Sequence, residues 1–292
     1  MFENLKDAEV ERGSVFTQRG RVDYAVFGSG SRPLVILPGM SLKPVTPLAG
    51  EIAKRYLIFV EKFRIYVLDR GENMPDGYTI HDMADDTAEA LRELDVSSAC
   101  IFGASQGGMI ALSLALRYPE LVDRMVLGST WSRPNRVGMA SFREWSRLGR
   151  SGKALELIRD SIRRIYSEAD GSVIEAILNA AGSSATAEEL RRFAVGAEAG
   201  LVFDVFERLK ELKCPILVLC AEKDSVLGAA GAKEIAERLG CEFYSYSGAD
   251  HAVYDEAADY PERILRFFEK NTDIDEKADR SAAEVQDVRK ET

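Results

Sequence analysis

The stretch Ile101-Phe-Gly-Ala-Ser-Gln-Gly-Gly-Met-Ile-Ala-Leu-Ser-Leu-Ala115 constrains the fold of this chain more than any other. A short apolar run, strand-like in length, hands over at once to a helix-like run, and Ser105 stands at the joint between Gly103, Gly107 and Gly108. A turn that tight drives the serine backbone into strained geometry and brings the neighbouring strand and helix too close for side chains, so glycines must flank it. The G-x-S-x-G pattern therefore reads as a strand-to-helix elbow that projects the serine hydroxyl outward.

The flanking sequence supplies strands and helices to build around that elbow. SVFTQRG, RVDYAVFG and PLVILPG are strand-like runs separated by Gly-containing turns, and together they predict a hairpin-like start. Then come a helix around Leu48 to Lys54, the strand FRIYVLDRG, a helix from His81 to Leu94, the strand ACIFGAS and a helix through Leu116. RMVLGST, CPILVLCAEKD and CEFYSYSGADH continue the series, each too apolar for a strand exposed on one face. The alternation predicts an α/β fold with a mostly parallel sheet of about eight strands between two layers of helices.

Between Ser132 and about Lys210 the character changes to charged helical stretches such as SFREWSRLGR, ALELIRDSIRRIYSEAD and AEELRRFAVGAEAG, without a strand-like run. The expected organisation is a core formed by residues 1–131 and 205–270, a helical cap over 132–204, and a polar tail over 271–292. At 292 residues, one catalytic-sized domain carrying an insertion fits the length.

A serine hydroxyl is a weak nucleophile near neutral pH and needs a base, commonly a histidine whose second ring nitrogen is held by a carboxylate. The chain has two histidines. His251 follows a strand-like run, in SGADHAVYDEA, where a loop can carry it over the sheet; His81 opens a helix far upstream and reads as a first-turn or surface residue. Asp224 ends the run ILVLCAEKD and should emerge at the carboxyl edge of the sheet, where such folds place ligands. Glu222 and Asp250 are the competing carboxylates, Asp250 disfavoured because it adjoins the histidine it would have to reach behind. Serine attack creates an oxyanion, which requires two fixed donors: the backbone N–H of Gln106 and that of Met40, in the loop LPGMS.

A net charge of −10 argues against nucleic acid or an anionic membrane surface as partner, since both select a basic face. No apolar run is long enough for a membrane helix and the first residues are charged, so the expected location is cytoplasmic, without membrane insertion. Cys100, Cys214, Cys220 and Cys241 show no C-x-x-C spacing and read as reduced core residues, not metal or disulfide partners.

GASQGG, VLDRGENMPDGYTIHDMADDTAEAL, ALRYPELVDRMVLGS, CPILVLCAEKD and GADHAVY, in that order, resemble the α/β-hydrolase family, specifically its capped serine hydrolases related to carboxylesterases and carbon–carbon bond hydrolases. The resemblance covers about residues 14 to 131 and 205 to 270. Two positions depart from the family pattern: Pro38 precedes Gly39 where many relatives have histidine, and Asn73 replaces a glycine of the D-x-R-G-x-G-x-S segment. The resemblance implies acyl transfer to water, with Ser105 as nucleophile, His251 as proton shuttle and Asp224 as its orienting carboxylate, and without metal or organic cofactor. Members that use aspartate at the elbow carry out dehalogenation or epoxide opening, and Ser105 points away from them.

The substrate expected is a small-molecule ester or related acyl compound. Between Ser132 and Gly200, 11 Lys and Arg face 9 Asp and Glu, the least acidic part of the chain, so Arg133, Arg136 and Arg143 are candidates to meet an anionic substrate group. Trp131, Phe142 and Trp145 are candidates to line an apolar acyl pocket. Thioesterase, carbon–carbon bond hydrolase and cofactor-free perhydrolase chemistry fit the same triad, and a ligand-binding receptor that keeps the fold with little turnover is the rival from another class. Oligomeric state has no signature in the sequence.

Overall fold

The chain opens with β1 (Glu11–Thr17) and β2 (Gly20–Phe27), joined by a two-residue turn and paired antiparallel from Glu11 opposite Val26 to Thr17 opposite Gly20. The computed structural model describes residues 9–166 and 185–270; the charged N-terminus, the segment 167–184 of the expected cap and the polar tail lie outside the described residues. β3 (Arg32–Leu37), β4 (Phe63–Leu68), β5 (Ala99–Ala104), β6 (Val122–Gly128), β7 (Ile216–Ala221) and β8 (Glu242–Tyr246) complete an eight-stranded sheet in the order β1-β2-β4-β3-β5-β6-β7-β8. β2 joins β4 antiparallel, and from β4 to β8 every pair is parallel.

Parallel strands need crossovers, and helices supply them: α1 (Ala49–Arg55), α2 (Ile80–Glu93), α3 (Gln106–Arg117), α7 (Ala229–Leu239) and α8 (Tyr260–Glu269). Both faces of the sheet are therefore covered, and alternate residues of one strand feed opposite cores: Val35 and Leu37 pack on one side with α2 and α3, Leu34 and Ile36 on the other with α1 and α8. β5 and β7 are buried along their whole length.

β8 corrects the reading of CEFYSY as a buried strand. It is the outermost strand, Phe243 and Tyr244 are 40% and 38% exposed, and the Arg263 guanidinium covers the Tyr244 ring at 3.5 Å. Phe243 and Tyr244 are edge-strand residues, Tyr244 covered by a cation, and of the strand's aromatics only Tyr246 is buried in the core. The cysteines are free, Cys100 and Cys220 buried, Cys214 and Cys241 half-buried. Among the described residues no helix is long and apolar enough to cross a membrane.

Between β6 and β7 the described elements are helical: α4 (Arg136–Arg150), α5 (Ala154–Ile165) and α6 (Ala187–Leu201). Asn135 caps α4 through the Gly138 N–H at 3.0 Å, and Thr186 and Glu189 form a reciprocal capping box on α6. α4 and α6 touch through glycines: a Cβ at Gly149 would lie 2.8 Å from the Leu190 carbonyl oxygen, and one at Gly200 would overlap the Phe142 ring.

Candidate active site

β5 ends at Ala104 and α3 begins at Gln106, leaving Ser105 alone in the turn with φ 53° and ψ −121°. Such a conformation costs a non-glycine residue about 1–3 kcal/mol and persists only where its surroundings enforce it. The enforcement is steric. A Cβ on Gly107 would lie 1.8 Å from the Leu37 carbonyl oxygen, one on Gly103 2.5 Å from the Gly107 oxygen and one on Gly108 2.7 Å from Thr130. Hydrogen bonds fix the Ser105 backbone, its N–H donating to Gly128 at 2.8 Å and its carbonyl accepting from the Thr130 hydroxyl at 2.7 Å.

The loop after β8 returns His251 to this elbow, with Nε2 3.0 Å from Ser105 Oγ and Nδ1 2.9 Å from Asp224 Oδ2. All three residues are buried. Asp224 sits beyond the end of β7, and its Oδ1 accepts the N–H groups of Val226 at 2.9 Å and Leu227 at 2.8 Å. Burial alone would raise this carboxyl, but the attraction and hydrogen bond of His251, with the two backbone donors, outweigh it and hold the pKa below its ordinary value. Of the competing carboxylates, Glu222 turns outward to Ser247 and Gly248, and Asp250 is buried beside His251 without being its partner at Nδ1. His81 lies elsewhere, its Nδ1 2.7 Å from Ser113 Oγ and its ring edge against Phe203.

Beside the elbow runs the loop after β3. A Cβ on Gly39 would stand 3.2 Å from Ser105 Cβ and 3.6 Å from its Oγ, so the loop passes directly over the serine. The N–H groups of Met40 and Gln106 have no acceptor among the described residues. Arg70 secures this arrangement: one Nη donates to the Pro38 carbonyl and Nε to Gln106 Oε1 at 3.4 Å. The Gln106 amide also donates to the Gly196 carbonyl of α6 at 2.8 Å, tying the helical segment to the residue that follows the serine.

Two cavities flank this loop and share Gly39, Met40, Ser41 and Val45 as walls. One, of about 520 Å³, is mostly apolar, walled by Ile52, Tyr56, Phe102, Ala104, Ile165 and Tyr166 among others. The other, of about 260 Å³, is bounded by Gln106 and Met74 and by charged side chains including Arg70 and Arg192.

Trp131, Phe142 and Trp145 reach neither cavity. All three are buried and form an aromatic chain, Trp131 against Phe142 at 5.4 Å between centroids, Phe142 against Trp145 at 5.7 Å and Trp145 against Phe193 at 5.8 Å. The chain joins α4 to α6, and the Trp145 indole adds α5 by donating to Asp160 at 2.9 Å. Only Phe193, unremarked in the sequence, lines a cavity. Arg133 pairs with Glu234 and stacks on Phe206, while Arg136 and Arg143 are exposed and line neither cavity. Among the described residues no group of three or more His, Cys, Asp or Glu side chains is placed to hold a metal ion.

The family described as alpha/beta hydrolase fold matches residues 69–258. A protein of Rhizobium rhizogenes provisionally named carbamate hydrolase RutD is 27% identical over 226 residues, 73% of this chain and 85% of that protein. A RutD of Serratia proteamaculans, with the same provisional name, is 42% identical over 77 residues, which are 24% of this chain and only 29% of the relative. Among solved structures, MGS-M2, an alpha/beta hydrolase enzyme from a Medee basin deep-sea metagenome library, superimposes with a TM-score of 0.79 at 20% identity, covering 89% of this chain and 98% of its own.

Proposed function

Starting from the premise that the chain belongs to the alpha/beta hydrolase fold family, we propose that it is a serine hydrolase that cleaves carboxylic esters through an acyl-enzyme. The observation that carries this reading is the relay Asp224–His251–Ser105, with successive contacts of 2.9 Å and 3.0 Å, assembled on a serine held at positive φ.

Ser105 Oγ attacks the ester carbonyl carbon while His251 Nε2 takes the hydroxyl proton. The ionised Asp224 fixes the imidazole with Nε2 toward the serine and stabilises the imidazolium that forms. The N–H groups of Met40 and Gln106 receive the oxyanion, each donor contributing about 10²–10³ in rate. The tetrahedral intermediate breaks its C–O bond, and the alkoxide leaves with the proton held on His251. Water then attacks the acyl-serine with His251 as base, releasing the acid and restoring Ser105. The described helices between β6 and β7 act as a cap whose helix α6 closes over the loop, and the larger, apolar cavity receives the hydrophobic arm of the substrate.

Incubation with a fluorophosphonate, followed by peptide mass spectrometry, tests the assignment. One adduct on Ser105, absent from Ser105→Ala and His251→Ala, together with multiple turnover on 4-nitrophenyl esters, is expected. The relatives named carbamate hydrolase put aryl carbamates on the same panel, since serine attack on them proceeds through the same relay. Folded protein that takes no adduct and turns over nothing would overturn the reading in favour of a binding protein.

A further inference from the structure

The smaller cavity contains a charge imbalance that the proposed chemistry does not use. Four cationic side chains line it, and two are matched. Arg21 pairs with Asp23 at 3.0 Å and Glu72 at 3.7 Å, and Lys43 pairs with Glu189 at 2.7 Å. Arg70 and Arg192 have no ion pair with a carboxylate among the described residues: Arg70 donates to Pro38 and Gln106, Arg192 to the Gly71 carbonyl at 3.0 Å. Asp69, whose field reaches Arg70, spends both oxygens on the backbone N–H groups of Val45 at 2.7 Å and Thr46 at 2.9 Å.

A guanidinium carries five N–H donors, so most of those on this pair are uncommitted. The Arg192 Nε is buried without an acceptor. Burial pushes the Arg70 pKa down to about 10 and the like charge of Arg192 pushes the same way, only partly offset by Asp69. Two half-buried cations on the walls of one cavity are an arrangement that an anion in that cavity relieves.

We propose that Arg70 and Arg192 hold a carboxylate at the far end of the substrate's acyl group, so that the enzyme hydrolyses half-esters of short dicarboxylic acids. This rests on the serine hydrolase reading for its chemistry, but not for its binding site. The acyl side is assigned because Gln106, whose N–H would hold the acyl carbonyl oxygen, is a wall of this cavity and not of the larger one, while Met40 borders both. A volume of about 260 Å³ suits a short arm. Asp23, Asp69 and Glu72 on the same walls repel a phosphate dianion more than a singly charged carboxylate. The idea of an anion-binding arginine within 132–204 therefore moves from Arg133, Arg136 and Arg143 to Arg192, and gains a partner from the loop after β4.

Two measurements separate this inference from the reading beneath it. In the first, kcat/KM is compared for 4-nitrophenyl hydrogen glutarate and 4-nitrophenyl pentanoate. The acidic ester is expected to be preferred, with Arg192→Gln lowering the acid-to-neutral ratio about 10- to 100-fold, the range of a charge-assisted bidentate contact. Arg192→Lys should retain part of the ratio, and the exposed control Arg143→Gln should leave it unchanged. In the second, folded Ser105→Ala is titrated with monomethyl glutarate and with methyl pentanoate. Saturable binding of the acid alone, weakened by adding Arg192→Gln or Arg192→Lys, supports the carboxylate site even if the wild type proves inactive. Turnover of neutral esters with no acidic preference and no acid-selective binding would overturn the carboxylate site while leaving the serine hydrolase standing.

Discussion

The two cavities beside Ser105 share one wall and differ in nearly everything else. The larger is walled mainly by residues that the sheet and α1 supply, Ile36, Phe102, Ala104, Ile52 and Tyr56, with Ile165 and Tyr166 closing it from the end of α5. The smaller is walled by loops after β3 and β4 and by α6, and it is rich in charge. An apolar wall rewards area without direction, about 0.8 kcal/mol for each buried methylene. A guanidinium pair rewards one group in one orientation. In the proposed enzyme the apolar side grades substrates by size and the charged side selects them by kind.

The largest expected effect removes the nucleophile under the loop that both cavities flank. Ser105→Ala should lower turnover of acidic and neutral esters alike by at least about 10⁴-fold, and His251→Ala should add little to it because the relay acts as a unit. An ester class that survived Ser105→Ala would break the picture of two cavities serving one nucleophile.

Asp224→Asn should lower kcat by about 10³–10⁴-fold on both classes through loss of the correct imidazole tautomer. It also has a signature in stability. The folded pKa of Asp224 is depressed, so its ionised form stabilises the fold above the ordinary carboxylate range, and that contribution is lost as pH falls through the folded value. Thermal melts from pH 7 downward should therefore show a steeper loss of Tm in the wild type than in Asp224→Asn.

A smaller effect sharpens the contrast between the walls. Ile52→Phe narrows the apolar cavity and should lower kcat/KM for decyl relative to butyl esters of one acid by about tenfold, the scale of a modest overpacking penalty. The ratio of glutarate half-ester to butanoate should move much less. The smallest effect is ionic. Raising salt from about 0.02 M to about 0.5 M should weaken the acidic preference a few-fold, since Arg192 is only half-buried and the Debye length shrinks from about 20 Å to about 4 Å, while the neutral-ester ladder keeps its slope.

The α/β fold was legible because buried parallel strands announce themselves as continuous apolar runs and their crossovers as helical periods between them. It was least legible at the margins. β8 has strand composition but an edge position, which is a property of the whole sheet, and α7, built on AAGAKEIAERL, is too poor in large apolar residues to stand out. Ser105, His251 and Asp224, singled out in the sequence by chain order and strand ends, lie within hydrogen-bond distance of one another in succession. The cavity walls are different. Arg192 meets the loop after β4 across 121 positions, and nothing within either segment marks the encounter. Trp131, Phe142 and Trp145 misled for the same reason, since aromatic clusters near an insertion serve its packing as readily as a ligand.

The contact between Gly107 and the Leu37 carbonyl, too close for even a methyl group, also bears on heat tolerance. It makes the start of α3 and the end of β3 one mechanical joint, and the serine and both backbone donors ride on that joint. Thermal breathing of the outer helices should carry the three together without changing their spacing. Any loss of activity on a small neutral ester below the global unfolding midpoint should accordingly trace to the loop that carries His251 from edge strand β8, not to this joint.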